Sequence, residues 1–306
     1  MELKQLQYFV IVVQQSSFSE AAKKLHLSQP SLSKAIKNLE VEVGFQLLER
    51  TTKRVQLTES GNVVYERAMK ILHEIDILQQ EIKEVKCTGS GSVQIGVIES
   101  VKNWLPSILH AYRQEFPSMH VKLIEVLDRG DVERALRQYT VHVCLTNQFI
   151  EASDIATIPL YQEQLAVVMH PEHRLASQES ITLADLEDEA LIVTSVGLQT
   201  RQDIFAAFAE EGVQMNIGYE VERFETIVEL IRKNIGISII PQEYFAHEPD
   251  STIVIKTTNS KTLTRTVYLT YFKKRYMPPA IEKLVSSMQM QHDSYVKWIE
   301  GGELDE

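Results

Sequence analysis

The sequence is poor in cysteine. It holds two, Cys87 and Cys144, and neither sits in a CxxC spacing. That excludes a disulfide framework and a zinc site built from thiolates. Long apolar runs are also missing. The longest early one is Tyr8–Val13, too short for a membrane span or a signal-peptide core, and no basic segment precedes it. The expected location is therefore the cytoplasm, with no membrane partner. No internal repeat or low-complexity tract is present. No GxSxG, P-loop or HExxH pattern occurs, and Gly89-Ser90-Gly91 leads into a strand rather than a helix, which argues against a phosphate loop. His26, His142, His170 and His173 share no metal-ligand spacing. Glu222 and Glu225, three apart at a helix start, read as caps rather than as a catalytic pair. The expectation is a chain that is not an enzyme and holds no metal or cofactor.

Positive charge is scarce overall, with a formal net charge of -11. Its distribution is uneven. Residues 1–58 hold eight Lys/Arg against five Asp/Glu, while the chain after residue 86 holds 19 against 31. A basic segment on an acidic protein suits a small nucleic-acid-contacting domain attached to a larger domain of another kind. At 306 residues, two or three domains are expected.

Residues 1–45 read as three helices. Leu3, Leu6, Phe9, Val10 and Val13 recur at helical spacing. Ser19 is a cap candidate for a short helix from Glu20 to Leu25, and Ser28 for the next. Pro30 then falls in a first helical turn, where its missing N–H costs little. Leu32, Ile36 and Leu39 mark a buried stripe, and Gly44 ends that helix. The stretch around Arg50–Arg54 reads as a small β-wing. The opposite face of the third helix carries Gln29, Pro30, Ser31, Ser33, Lys34 and Lys37. Glutamine can bind adenine bidentately, proline can touch a thymine methyl, and serine donates or accepts. Lys37, Arg50, Lys53 and Arg54 suit phosphates or the minor groove. The same pattern would also serve an ordinary helical hairpin with solvated polar residues.

Val64, Ala68, Ile71, Ile75, Leu78, Ile82 and Val85 follow a strict heptad, with Thr58 as the N-cap candidate. The period favours a two-helix seam over a surface helix on a single core. Thr88–Ser92 has linker composition.

From Val93 onward the pattern is strand alternating with helix. Strands are expected at Val93–Ile98, Val121–Leu127, Val141–Thr146, Leu165–Met169, Ala190–Thr194, Ile217–Val221, Ile237–Ile240 and Val267–Phe272. Helices are expected at Leu105–Phe116, Asp131–Gln138, near 201–211 and 225–233, and at Ala280–Gln291. Such alternation implies α/β architecture with parallel sheets, here in two lobes.

The segment Phe18-Ser19-Glu20-Ala21-Ala22-Lys23-Lys24-Leu25-His26-Leu27-Ser28-Gln29-Pro30-Ser31-Leu32-Ser33-Lys34 closely resembles the recognition segment of LysR-type transcriptional regulators. So do Ile36-Lys37-Asn38-Leu39-Glu40, Gly44–Arg50 and Leu57-Thr58-Glu59-Ser60-Gly61. Leu105-Pro106, Phe116-Pro117 and Gly236–Pro241 extend the resemblance along most of the chain. It implies an N-terminal winged helix-turn-helix (1–58), a dimerising linker helix (59–87), a hinge (88–92) and a two-lobed effector domain like a periplasmic binding protein. The first lobe would comprise 93–161 and 267–306, the second 162–266. The implied partners are double-stranded promoter DNA, further copies of the chain in a homodimer or homotetramer, and a small-molecule effector. A binding protein of the periplasmic type without DNA function is the alternative. One departure stands out. Where the family has Gly, two residues, then Asp, this chain has Tyr139-Thr140-Val141-His142.

Ligands of open α/β sheets sit at strand carboxyl ends and helix N-termini. That nominates Ser100, Asp128, Arg129, Thr146 and Asn147 in one lobe and Thr194, Ser195, Gln199, Arg201 and Phe224 in the other. Hydroxyls with Arg129 and Arg201 favour a small organic anion. Glu99 and Asp128 oppose it, which leaves a neutral or amine-bearing ligand open. Cys144, in the apolar strand Val143-Cys144-Leu145, reads as a packed residue rather than the redox sensor of some family members.

Overall fold

A computed structural model describes residues 1–50, 55–86, 90–245, 252–260 and 262–299. The chain divides into two compact units, Met1–Lys86 and Cys87–Glu306.

In the first unit, α1 (Leu3–Gln15), α2 (Phe18–Lys24) and α3 (Gln29–Val43) precede a hairpin of β1 (Leu48–Arg50) and β2 (Val55–Leu57), then α4 (Glu59–Lys86). Leu6, Phe9, Val10 and Val12 of α1 and Leu32, Ile36 and Leu39 of α3 enclose one core with Ala21, Ala22, Leu47 and Leu48. Val12, rather than Val13, is the fully buried fourth member of the α1 stripe. The cap of α2 is Ser17, not Ser19: the Ser17 hydroxyl accepts from the Glu20 N–H, and Ser19 instead reaches Gln29 Oε1 at 3.4 Å. Ser28 caps α3 as expected, and Gly44 closes it at φ 85°, where a side chain would be strained. Thr58 Oγ1 accepts from the Gly61 N–H (2.8 Å) at the start of α4. Gly61 is required there by close approach, because a Cβ would overlap the Leu47 carbonyl oxygen.

The second unit begins with β3 (Ser90–Val97), α5 (Leu105–Glu115), β4 (Ser118–Glu125), α6 (Arg129–Arg137) and β5 (Val143–Thr146). A long strand, β6 (Ile155–Met169), leads to β7 (Leu191–Thr194), α7 (Gln199–Glu211), β8 (Ile217–Val221), α8 (Phe224–Arg232) and β9 (Ile237–Pro241). Then come β10 (Val254–Lys256), β11 (Thr264–Phe272) and α9 (Pro279–Ile299). The strand order is β4-β3-β5-β11-β6-β9-β7-β8, with β10 on β6. The β3/β4, β3/β5, β7/β8 and β7/β9 pairs are parallel. The expectation of parallel sheets needs correcting for the centre, where β6 and β11 pair antiparallel to each other and to their neighbours. The long strand β6 pairs with β11 along its first part and with β9 and β10 along its last, so the chain passes between lobes along continuous hydrogen-bonded backbone. Cores on both faces are covered by helices, α5 and α9 against one lobe and α7 and α8 against the other.

The departure at Tyr139–His142 has a structural explanation. Tyr139 adopts φ 57°, the left-handed conformation that a glycine takes without strain. Arg275, buried at 4% exposure, holds it there. Its guanidinium lies 4.7 Å from the Tyr139 ring centre and donates to the carbonyls of Tyr139 (3.3 Å) and Val141 (2.8 Å). His142 accepts from Arg275 at Nε2 (2.7 Å), and its backbone N–H donates to the Gln94 carbonyl (2.8 Å), linking the turn to β3. Replacing Arg275 with Met removes donors from two buried carbonyls and a buried ring. The expected cost is about 2–4 kcal/mol, read as a lower urea midpoint of the full-length protein; an unchanged midpoint would refute the account.

Candidate nucleic-acid interface and ligand cleft

On α3, Leu32, Ile36 and Leu39 face inward, which leaves Gln29, Pro30, Ser31, Lys34 and Lys37 exposed on the other side. Ser33 is half-buried rather than fully exposed. Lys34 and Lys37 have no acidic partner among the described residues, so both charges are available to an anionic surface. Ser31 is tied to Ser28 (2.7 Å). Lys53, Arg54 and the side chain of Arg50 lie outside the described residues. Sequence reasoning missed Glu40, whose carboxylate accepts from the N–H groups of Leu47 (3.0 Å) and Leu48 (3.2 Å) and so pins the hairpin to α3. Along α4, Val64 packs on the head core and Ala68 is buried in it. Ala68 is therefore not an open seam position. Ile71 (42%), Leu78 (53%) and Ile82 (46%) remain exposed, with Ile75 half-buried. The side chain of Val85 lies outside the described residues.

In the second unit, a cavity of about 30 Å³ is lined by Ile98, Glu99, Leu127, Asn147, Thr194, Leu198, Gln199, Thr200, Glu222, Phe224 and Arg265. Asn147, Thr194, Gln199 and Phe224 were anticipated. Ser100 and Thr194 are buried, and their hydroxyls have no hydrogen-bond partner among the described residues. Thr146 is spent locally, accepting from the Gln148 N–H (3.1 Å). Six anticipated residues do not line the cavity: Ser100, Thr146, Asp128, Arg129, Ser195 and Arg201. Asp128 caps α6, accepting from Gly130 (2.7 Å). Arg129 is exposed and pairs with Glu133 one turn on (3.4 Å). Ser195 is half-buried outside it. Arg201 donates to the Thr194 carbonyl (2.8 Å) and to Glu220 (2.9 Å). Both arginines expected to receive an anion are thus engaged elsewhere.

The guanidinium that does reach the cavity is Arg265. It donates to Glu163 (2.7 Å) and to Thr200 Oγ1 (2.5 Å). Glu163 also accepts from Tyr161 OH (3.3 Å), which accepts from Trp104 Nε1 (2.9 Å). The signal was in the sequence: Arg265 and Glu163 stand on the same alternation parity as Leu263, Val267, Tyr161 and Leu165, all buried. Carboxylates gather around this pair. Burial pushes Asp203 up from its ordinary range. Burial, reinforced by the charge of Glu163, pushes Glu243 up to about 7. Glu99 is raised by burial and partly held down by the Phe224 N–H, which it accepts at 3.1 Å, and by Arg223 and Lys102.

Residues 3–62 match the family described as bacterial regulatory helix-turn-helix protein, lysR family, and residues 88–292 match the LysR substrate binding domain. The chain is a LysR-type transcriptional regulator. Its relatives include the HTH-type transcriptional regulator BenM of Acinetobacter baylyi, 32% identical over 246 residues, which cover 79% of this chain and 80% of that one. The crystal structure of full-length BenM matches at TM-score 0.59 and 27% identity, covering 99% of both chains. Full-length CbnR complexed with its target DNA shares the fold at TM-score 0.67 and 23% identity, over 94% of this chain and 99% of that one.

Cys144 is fully buried. Burial pushes its thiol up to about 12, against Gly96. Among the described residues, no cluster of His, Cys, Asp or Glu could hold a metal ion, and no helix is long and apolar enough to cross a membrane.

The raised Glu243 sets a pH dependence. Its folded-state value, about 7, lies above the ordinary 4.5. Between those values the folded protein keeps a proton that the unfolded chain releases, so stability falls as pH rises through that window. Glu243→Gln should remove this slope. It should be more stable than wild type by about 1–3 kcal/mol above pH about 7, with the advantage gone below 4.5, as read by denaturant titration at a series of pH values.

Proposed function

We propose that this LysR regulator works in the cytoplasm as an oligomer that binds promoter DNA through α3 and the β1–β2 wing and responds to a small molecule in the cleft of its second unit. The observation that carries the DNA reading is the exposed face of α3, where Gln29 and Pro30 stand beside Lys34 and Lys37, which have no acidic partner among the described residues. Base edges would be read by Gln29, Pro30, Ser31 and Ser33. Lys34, Lys37, Arg50, Lys53 and Arg54 would hold phosphates. We assign the head to 1–58, the linker helix to 59–87, the hinge to 88–92, the first lobe to 93–161 with 267–306, and the second to 162–266. The effector reading rests on the cavity and on the buried, unpartnered hydroxyl of Thr194 in its wall.

Genomic DNA fragments retained by the protein supply the operator, and fluorescence anisotropy then measures binding across salt concentrations. Gln29→Ala should lose about 1–3 kcal/mol on the operator and little on unrelated duplex. Lys37→Ala should weaken both and reduce the salt slope by about one. If neither variant changes affinity or slope, α3 is not the reading helix.

The exposed stripe Ile71, Leu78 and Ile82, with Ile75, is assigned to a seam with the same helix of a second copy. Leu78→Asp places an unpaired charge in that seam at a cost of several kcal/mol, on the order of a hundredfold or more in dimer dissociation. Leu78 is exposed in the single chain, so helical content should be unchanged. Light scattering that still reports the wild-type oligomer would remove the seam assignment.

A further inference from the structure

The charge of the ligand cleft points to its occupant. The cavity is lined by two carboxylates, Glu99 and Glu222, and by one guanidinium, Arg265. Arg265 is already neutralised by Glu163 at 2.7 Å, and another of its N–H groups is given to Thr200. Behind the wall, Asp203 and Glu243 add carboxyl groups within electrostatic reach of the same pair. The cationic residues on the outer side, Lys102 and Arg223, are also occupied. Lys102 lies 3.4 Å from the centre of the Tyr244 ring, and Arg223 pairs with Glu125.

The seat that would hold an anion is filled from within. A helix N-terminus attracts negative charge, and the N-terminus of α8 opens on this cavity through Phe224. Glu99 occupies it, with its Oε2 accepting the Phe224 N–H at 3.1 Å. A ligand carboxylate would have to displace Glu99 and leave that charge half-buried without its N–H.

An independent observation indicates that a ligand group belongs here. Thr194 lines the cavity, is 2% exposed, and its Oγ1 has no hydrogen-bond partner among the described residues. A buried hydroxyl without a partner is costly, and a bound group would satisfy it. Two lining residues keep an oxygen for a donor. Gln199 spends its amide N–H on Asp203 (2.7 Å), so its oxygen remains to accept, and Glu99 Oε1 is 3.9 Å from Arg223, beyond hydrogen-bond length.

From this we infer that the cleft selects an ammonium-bearing small molecule, with Glu99 as the residue that sets the sign of the ligand charge. The inference rests on the effector reading of the cleft. The ammonium donates to Glu99 Oε1 and Thr194 Oγ1, and Glu222, which is exposed, adds a weaker attraction. The cavity has room for an ammonium-sized head, and Leu127, Leu198 and Phe224 offer apolar contact to the carbons that follow it. Such a ligand also favours the ionised form of Glu99, which burial opposes. Binding should therefore weaken as pH falls.

The test uses the full-length protein and three four-carbon probes that differ in charge: putrescine, 4-aminobutanoate and succinate, at millimolar concentration. Binding is read by calorimetry and by the rise in melting temperature that native-state binding produces. The expected result is stabilisation by putrescine and 4-aminobutanoate and none by succinate. Glu99→Gln, which keeps an oxygen for the Phe224 N–H, should weaken amine binding about tenfold or more, Thr194→Val should weaken it too, and Glu222→Gln should do so less. Stabilisation by succinate that Thr194→Val abolishes would overturn the charge assignment and leave the effector cleft standing. Amine binding untouched by both Glu99→Gln and Thr194→Val would place the ligand elsewhere and remove both. Absence of any response to either amine would likewise overturn the inference.

Discussion

Glu163 and Arg265 face each other across the antiparallel pair of β6 and β11, at 2.7 Å and almost wholly out of water. Neither charge could be buried alone. Taking either from water costs several kcal/mol, and removing one partner from such a pair typically costs about 3–5 kcal/mol. The pair therefore holds the strand register, because a slip of one residue would part the charges and turn every side chain of β6 to the wrong face. Much follows from that register. It sets where β6 leaves β11 and takes up β9, and so where the two sheets meet. Through Thr200 it anchors the first turn of α7, and through Tyr161 and Trp104 it reaches the core beneath α5. One ion pair thus orients structural parts that lie far apart in sequence.

The head depends on a smaller version of the same device. Glu40 and Gly61 are both residues of the family-like motifs, the first half-buried and the second buried. The Glu40 carboxylate receives the N–H groups at the start of the hairpin, and Gly61 lets α4 approach the Leu47 carbonyl. Together they fix the hairpin against the helices, so a surface of short polar side chains on α3 is presented by rigid supports.

The turn at Tyr139 is a local compensation. A bulky residue in the left-handed region is unfavourable by about 1–2 kcal/mol, and a buried imidazole needs partners. Arg275 answers both, since it stacks on the Tyr139 ring and donates to His142. The substituted positions and the arginine are more than a hundred residues apart in the chain, and form one structural unit.

The sequence by itself determined the elements and their order. The stripe Leu32–Ile36–Leu39, the heptad from Val64, the caps at Ser28 and Gly44, and the alternation of strand and helix after Val93 are local periodicities, and local physics sets them. The motif from Phe18 to Gly61 carried the family. Tertiary structure decided what each polar side chain was used for. Arg129 and Arg201 stand at strand and helix ends where an anion would bind, but Glu133 on the same helix and Glu220 on a neighbouring strand take them. Arg265 and Glu163, which lie just outside the expected strands Val267–Phe272 and Leu165–Met169, became the charged centre of the cleft because their pairing spans 102 residues. The antiparallel centre of the sheets, the turn at Tyr139 and the carboxylate seated on α8 have the same origin. Periodicity records which face a residue occupies, whereas the partner of a charge depends on distance through space, and that distance exists only once the chain has folded.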